Sequence, residues 1–254
     1  MGKDTKIALV TGGSRGLGKN SAIALSKKGM DVIITYNKQK EKADLVVKEI
    51  ESNGCRAVAM QLDVSNISSF DSFVSKLSDV LQEHWNQDHF DFLINNAGFG
   101  INSTFVNTTE EQFDSLMNVH FKGVFFLTQK LTPYLADNGG IVNFSTGLAR
   151  FTTPGFSAYA AMKGAIEVLT KYMAKELGSR SIRVNVIAPG PIDTDFFGTD
   201  LVENPGIKTF FASQSALGRM GEPNDIGGVV ASLCSTEMGW VNAQRIEASG
   251  GMLL

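Results

Sequence analysis

Residues 6–18 read KIALVTGGSRGLG and join an apolar run to a glycine-rich turn and then to a helical pattern. The apolar run is continuous, as in a central parallel strand that other elements cover on both faces. Glycine allows positive φ and a close approach of the backbone to a pyrophosphate, which the positive end of the helix dipole attracts. The spacing G-x-x-x-G-x-G differs from the G-x-G-x-x-G fingerprint, but the strand–turn–helix context is the one that such a motif requires. We therefore predict a dinucleotide cradle formed by Gly12, Ser14, Arg15, Gly16, Leu17 and Gly18.

Apolar runs alternate with helical patterns along the rest of the chain. Strands are predicted at 6–11, 31–36, 57–62, 91–95, 141–145, 182–188 and 244–248, and helices at 16–28, 40–52, 66–83, 110–136, 156–178 and 223–234. This alternation predicts an α/β fold, a doubly wound (Rossmann) sheet of seven parallel strands with helices on both faces. Ligands of such sheets bind beyond the carboxyl ends of the strands. No linker divides the chain, so we predict a single domain over 1–254, with a flexible substrate lid around 189–222.

The composition argues against several classes of partner. A net charge of −3 gives no basic footprint for nucleic acid or for an anionic membrane. No apolar run approaches the roughly 18 residues that a membrane span needs, and the N-terminal segment leads so soon into a strand that we expect no signal peptide. Two distant cysteines, Cys55 and Cys234, indicate reduced thiols in the cytoplasm. We predict no nucleic acid partner, no membrane, no metal site and a cytoplasmic location.

A candidate acid/base pair stands at the start of the helix predicted at 156–178. Tyr159 and Lys163 are four residues apart and therefore project from one face of that helix. A neighbouring ammonium favours phenolate, so we expect Lys163 to lower the pKa of Tyr159 from its usual value of about 10 toward neutrality. A tyrosine with such a pKa exchanges protons at physiological pH.

The end of the second predicted strand indicates which dinucleotide is bound. Sites that prefer NAD place an acidic residue near the ribose hydroxyls, but Tyr36, Asn37 and Lys38 follow Thr35 here without a carboxylate. Arg15 and Lys38 instead suit a 2′-phosphate, which an acidic residue would repel. We therefore predict NADP(H), with Tyr36, Asn37 and Lys38 at its adenosine end.

With these residues assembled, the chain resembles the short-chain dehydrogenase/reductase family over essentially its whole length, and most of all its 3-oxoacyl-[acyl-carrier-protein] reductase-type members. The matching motifs are TGGSRGLG at 11–18, LDV at 62–64, NNAG at 95–98, YAAMK at 159–163 and APGPIDTDF at 188–196. Each motif is short, but five in this order and spacing form a specific signal. The resemblance also implies a homodimer or homotetramer packed through the helical regions 110–136 and 156–178.

The resemblance assigns further cofactor contacts. It implies that Asp63 and Val64 flank the adenine, that Asn96, Ala97 and Gly98 lie along the cofactor, and that Pro189, Gly190, Ile192 and Thr194 close over the nicotinamide. Lys163 would hold the nicotinamide ribose as well as acting on Tyr159.

Two positions depart from the family pattern. The family serine lies thirteen residues before the tyrosine, where this chain has Thr146, preceded by Ser145. A threonine hydroxyl can donate the same hydrogen bond, and we favour Thr146 while leaving Ser145 open, since adjacent strand residues point to opposite faces. The family asparagine is replaced by His120, and Asn118 is expected to face another side of the helix. His120 either joins a proton relay, since histidine titrates in the useful range, or is a packed helix residue with one satisfied nitrogen.

These residues together predict an NADPH-dependent oxidoreductase that reduces a carbonyl of a small molecule, a 3-oxoacyl thioester or another ketone or aldehyde, with Tyr159 as general acid. The alternative is a non-catalytic NADPH-binding redox sensor or regulatory protein, for which the two altered positions argue. Several phenylalanines are expected near the pocket mouth, where they would favour an apolar or aromatic substrate unless they are core or subunit contacts. They are Phe99, Phe151, Phe156, Phe196, Phe197, Phe210 and Phe211.

Overall fold

One sheet of seven parallel strands forms the centre of the fold in a computed structural model that describes residues 5–194, 196 and 205–254. The strands are β1 (Ile7–Val10), β2 (Asp31–Tyr36), β3 (Ala57–Gln61), β4 (Phe90–Asn95), β5 (Leu135–Phe144), β6 (Arg183–Pro189) and β7 (Arg245–Ala248). Their order across the sheet is β3-β2-β1-β4-β5-β6-β7, and every neighbouring pair is parallel. The predicted doubly wound sheet is confirmed.

Helices cover both faces of this sheet. They are α1 (Gly16–Ser26), α2 (Lys40–Ser52), α3 (Phe70–Trp85), α4 (Glu110–Met117), α5 (Gly123–Leu131), α6 (Ser157–Glu176), α7 (Pro205–Gln214) and α8 (Pro223–Leu233). Residues of α1, α2 and α8 share one hydrophobic core with Ala8 and Val10, whereas α3, α5 and α6 share the other with Ile7 and Leu9. The strands are apolar on both faces because each face has its own core. None of the helices in the described ranges is long and apolar enough to cross a membrane.

Three elements differ from their predicted form. Strand β5 begins at Leu135, six residues before the predicted 141, because Leu135 pairs with Phe90 ahead of an irregularity in the register. The single helix predicted at 110–136 is divided by a π-helical turn over Asn118–Lys122. Part of the predicted lid is the helix α7, which begins at a proline, a residue that the first helical position accommodates. Residues 195 and 197–204 of that lid lie outside the described residues.

A chain of buried polar side chains connects the middle of the sheet to two helices. The Asn95 amide donates to Thr128 Oγ1 on α5 at 3.0 Å and to Asn143 Oδ1 on β5 at 2.9 Å. The Asn143 amide donates in turn to Thr170 Oγ1 on α6 at 2.9 Å. All four side chains are buried. Because buried amides need partners, this chain fixes how α6 lies against β5.

Removal of the central amide tests this connection. We expect Asn143→Ala to lower the free energy of unfolding by about 2–4 kcal/mol, because it leaves a cavity and deprives Asn95 and Thr170 of a buried partner. Chemical denaturation followed by circular dichroism measures the change. The same substitution at the exposed Asn107 is the control and should stay within about 0.5 kcal/mol. Equal losses in the two variants would contradict the role of the buried chain.

Candidate active site

A cavity of about 760 Å³ lies at the carboxyl ends of the strands. Its walls come from the segments that follow β1, β2, β3, β4, β5 and β6 in the chain, together with the first turns of α6. This is the edge of the sheet at which doubly wound folds bind ligands, as the sequence predicted. The cavity therefore brings together residues that are more than one hundred positions apart in the chain.

The glycine-rich turn after β1 has the geometry of a phosphate cradle. Gly12 and Gly16 adopt φ of 66° and 54°, a left-handed conformation that side chains with a Cβ rarely take. A methyl group at Gly18 would overlap the carbonyl oxygen of Gly12, so the helix can follow the turn this closely only with glycine there. No side chain caps the N-terminus of α1, whose amides and dipole favour an anion.

Two cations stand near this cradle. Arg15 and Lys38 are exposed and line the same cavity as Asn37, so a phosphate on the adenosine ribose could be held between them. Tyr36 lies elsewhere than the other predicted residues of this end. Its side chain is buried, packs in the hydrophobic core of α1, α2 and α8, and does not line the cavity, because Tyr36 is still inside β2.

The other predicted cofactor positions mostly reach the cavity. Those that line it are Ser14, Leu17, Asp63, Val64, Ala97, Gly98, Pro189, Gly190, Ile192 and Thr194. Asn96 also lines it, but its amide donates to the carbonyl oxygens of Thr11 at 2.9 Å and Gly12 at 3.3 Å, so this side chain supports the cradle. Gly18 acts through its close packing rather than as a lining residue.

Tyr159 and Lys163 occupy the first turns of α6 and face the cavity. Tyr159 interacts with Thr146, which acts to lower the pKa of the phenol, and Thr146 Oγ1 accepts a hydrogen bond from the backbone N–H of Leu148 at 3.3 Å. Since that contact uses a lone pair of the hydroxyl, its proton is available to Tyr159. The Lys163 ammonium donates to the carbonyl oxygen of Phe144 at 2.8 Å and lies 5.8 Å from the centroid of the Tyr159 ring.

The protonation of this pair differs from the expectation. Burial raises the pKa of Tyr159 above its ordinary value, and the hydrogen bond from Thr146 only partly opposes the shift. Burial also lowers the pKa of Lys163 to about 7. The expected lowering of the tyrosine pKa by Lys163 is therefore wrong, because desolvation by burial dominates the pKa of both groups. Tyr159 is a protonated phenol at neutral pH, which is the form that can donate a proton.

The geometry distinguishes Thr146 from Ser145. Ser145 Oγ donates to Glu167 Oε1 at 2.6 Å, whereas Thr146 is the side chain that interacts with Tyr159 and acts to lower its pKa. Strand β5 ends at Phe144, so the alternation of directions within a strand need not apply to the next two residues. Ser145 and Thr146 nevertheless have different partners.

Sequence reasoning missed an ionic network behind this site. Arg245 Nε donates to Glu167 Oε1 at 2.7 Å, and Arg245 Nη2 donates to the backbone oxygen of Thr146 at 3.3 Å. For Glu167 the sequence did contain a signal, because its spacing of four residues from Lys163 places both side chains on the same helical face.

His120 is buried and packed rather than exposed to the cavity solvent. Its Nε2 lies 2.7 Å from the carbonyl oxygen and 3.3 Å from the backbone nitrogen of Phe99, while the buried Nδ1 has no hydrogen-bond partner among the described residues. Its ring meets the ring of Tyr159 edge-on at 5.1 Å. The pKa of His120 lies well below its ordinary value, chiefly because of burial and secondly because of the Lys163 charge. It is therefore neutral, as in the packed interpretation, and the expectation that it titrates in the useful range is wrong.

Asn118 was expected to face another side of the helix, but it lines the cavity together with His120. The reason is the π-helical turn that begins at Asn118, because its wider winding changes which residues share a face.

Aromatic side chains surround the outer part of the cavity. Of the phenylalanines predicted there, Phe99, Phe151, Phe156, Phe196 and Phe211 line it. Phe210 does not line it, and Phe197 lies outside the described residues. Within the described residues, no three His, Cys, Asp or Glu side chains come together in a group that could hold a metal ion.

Comparison with known proteins agrees with this arrangement. Residues 12–253 match the family described as enoyl-(acyl carrier protein) reductase. The 3-oxoacyl-[acyl-carrier-protein] reductase FabG of Staphylococcus aureus is 35% identical over 254 residues, which cover 99% of this chain and 100% of that protein. The chain belongs to the short-chain dehydrogenase/reductase family.

Two solved structures are similar over nearly their full length. The promiscuous reductase LugOII, which catalyses keto-reduction at C1 during lugdunomycin biosynthesis, has a TM-score of 0.93 and 36% identity, with 99% of each chain covered. The angucycline C-6 ketoreductase LanV, solved with bound NADP, has a TM-score of 0.93 and 35% identity, with 99% of this chain and 97% of that chain covered.

The close packing at Gly18 leads to a prediction about cofactor binding. Gly18→Ala should weaken NADPH binding by about tenfold or more, because the added methyl group displaces the turn that cradles the phosphates and such overpacking costs about 1–3 kcal/mol. Titration of NADPH fluorescence measures the dissociation constant. Gly228→Ala in α8 is the matched control, since a methyl group there meets open space. A Gly18→Ala protein that is folded and binds NADPH as tightly as the control would contradict the assignment of the cradle.

Proposed function

We propose that this protein uses NADPH to reduce the carbonyl group of a small ketone or aldehyde to an alcohol, with Tyr159 as the general acid. The observation that carries the proposal is the contact of Tyr159 with Thr146 beside Lys163, in the cavity that also holds the glycine cradle. Membership of a family of oxidoreductases supports it. The relatives FabG, LugOII and LanV are reductases of keto groups by their own descriptions.

The residues present fit NADP(H). The uncapped N-terminus of α1 and the turn at Gly12 and Gly16 suit the pyrophosphate, and Arg15 and Lys38 suit the 2′-phosphate. The NADP in LanV supports the same assignment. When bound, NADPH supplies the hydride that adds to the carbonyl carbon.

The chain's own residues would bind and polarise the carbonyl oxygen. Thr146 and Tyr159 can both donate hydrogen bonds to that oxygen, and the Tyr159 phenol transfers its proton as negative charge develops. Lys163 is held beside the phenol by the carbonyl group of Phe144, so that its charge, when present, stabilises the phenolate that remains. The buried site strengthens these interactions because little water screens them.

The sensor or regulatory alternative loses part of its support. It depended on two altered positions, and at one of them Thr146 makes the contact with Tyr159 that a catalytic serine would make. No specific observation favours it over the reductase.

We also propose a homo-oligomer in the cytoplasm, built from one domain over 1–254. Large apolar side chains on α4, α5 and α6 are exposed, as in a surface that a second subunit covers. They are Phe113, Phe125, Phe126, Val168 and Tyr172.

Loss of the Tyr159 hydroxyl tests the proposed function. Oxidation of NADPH should be followed by absorbance with a panel of ketones, aldehydes and an acetoacetyl thioester. Tyr159→Phe should lower kcat by about 100-fold or more, because the proton donor is gone, while the dissociation constant for NADPH stays within about twofold. Wild-type turnover in the Tyr159→Phe enzyme would overturn the assignment.

The two neighbouring hydroxyls give a second test. Thr146→Val should lower kcat by about 100-fold, because the variant loses one donor to the developing oxyanion, and Thr146→Ser should restore most of the activity. Ser145→Ala should change kcat by less than about threefold, since Ser145 bonds to Glu167 and not to Tyr159. Steady-state kinetics with the best ketone of the panel provides the comparison. The reverse order of effects would transfer the role to Ser145.

A further inference from the structure

We propose that the natural substrate is an uncharged cyclic ketone with a flat aromatic ring fused to the ring that carries the reducible carbonyl. This inference rests on the proposed function and extends it to the substrate class. It draws on the distribution of charge in the cavity and on a set of aromatic side chains that line it, here called the aromatic wall. These are Phe99, His120, Phe151, Phe156, Phe196 and Phe211.

Aromatic rings pack next to the proton donor. The Phe196 ring is 5.9 Å from the Tyr159 ring at an angle of 54°. The His120 ring is 5.1 Å from the Tyr159 ring at 90°, and the Phe99 ring is 5.5 Å from the His120 ring. These are the spacings of favourable aromatic pairs. A carbonyl oxygen within reach of Tyr159 therefore brings the adjoining atoms of the substrate close to aromatic rings.

Further rings extend this wall outward. Phe151 and Phe156, from the segment after β5, are half-buried and line the cavity. Phe151 packs on Gly147, where an added methyl group would lie 2.8 Å from the ring, and Phe196 packs on Gly100, where it would lie 2.7 Å from the ring. Both rings thus contact bare glycine backbone while they line the cavity, and aromatic surface favours a flat aromatic ligand over a puckered one.

Charged side chains line the cavity at the cofactor end and beside Tyr159. Among its described lining residues, the ones with charged side chains are Arg15, Lys38, Asp63 and Lys163. The first three belong to the cofactor end, and Lys163 is bonded to the backbone of Phe144. At the aromatic wall, Arg150 lies 5.6 Å from the centroid of the Phe151 ring but is already paired with Glu247 at 2.8 Å. Among the described residues, the cations at the wall are therefore engaged by the protein itself, which favours an uncharged substrate over one with an anionic tail.

A matched pair of ketones separates flatness from size. We compare 2-tetralone with trans-2-decalone, which share the bicyclic carbon skeleton and the position of the carbonyl and differ in the aromatic ring, and we add acetoacetyl-CoA as an anionic chain. With NADPH saturating, kcat/KM for 2-tetralone should exceed that for the other two by about tenfold. A kcat/KM for trans-2-decalone or acetoacetyl-CoA that equals or exceeds that for 2-tetralone would overturn the inference.

The two ketones also differ in their intrinsic reactivity toward hydride. This difference is the same in every variant of the protein, so a change in the ratio between variants reports recognition by the cavity. Phe151→Leu keeps an apolar side chain but loses the ring, so the ratio of kcat/KM between 2-tetralone and trans-2-decalone should fall by about threefold or more. Phe105→Leu is the control, because Phe105 is 83% exposed and does not line the cavity. A ratio that both variants leave unchanged would show that the aromatic wall does not distinguish the aromatic ketone from the saturated one.

Binding decides the question independently of turnover. Calorimetry with the NADP⁺-loaded protein should give a dissociation constant about tenfold lower for 2-naphthol than for decahydro-2-naphthol. Equal affinities would count against a preference of the cavity for aromatic ligands. Absence of turnover with every ketone, together with preferred binding of 2-naphthol, would refute the proposed function and leave that preference supported.

Discussion

The site depends on the way the end of strand β5 is bonded to helix α6. Asn143, Phe144 and Ser145 each bond to a different residue of α6, and these are Thr170, Lys163 and Glu167. The next residue, Thr146, interacts with Tyr159 on the same helix. Adjacent strand side chains point in opposite directions. Asn143 and Ser145 therefore bond to α6 through their side chains, whereas Phe144 between them bonds through its backbone oxygen. A shift of the helix by one turn would break every one of these contacts, so the position of Tyr159 is determined by the sheet.

Burial has electrostatic consequences for the chemistry. It opposes charge on the three buried groups of the site, which raises the pKa of Tyr159, lowers that of Lys163 to about 7 and keeps His120 neutral. A neutral phenol beside an amine that readily loses its proton is prepared to donate a proton to a carbonyl oxygen, which is the direction of reduction. The phosphate end differs, since the cationic side chains of Arg15 and Lys38 are exposed there. The cavity thus joins a cationic end to a neutral, aromatic end.

Much of this could be predicted from sequence, because it follows from local patterns. The apolar runs and the glycines at 12 and 16 predicted the sheet and the cradle, and the spacing of Tyr159 and Lys163 predicted their common face. Other features depend on tertiary placement. The place of Tyr36 follows from the extension of β2 through it into the core, and the titration of His120 was misjudged because its burial is not a property of its neighbours in sequence. The choice between Ser145 and Thr146 required the partner of each hydroxyl, which only the packing of α6 reveals.

The account is tested most directly by following the hydride itself. The protein is incubated with NADPH that carries deuterium at both C4 positions and with a ketone that it reduces, and the alcohol is analysed by mass spectrometry and NMR. The account predicts one deuterium on the carbinol carbon of each product molecule and a hydroxyl proton that comes from solvent through Tyr159. An alcohol without deuterium at that carbon, or no alcohol from any ketone despite bound NADPH, would contradict it.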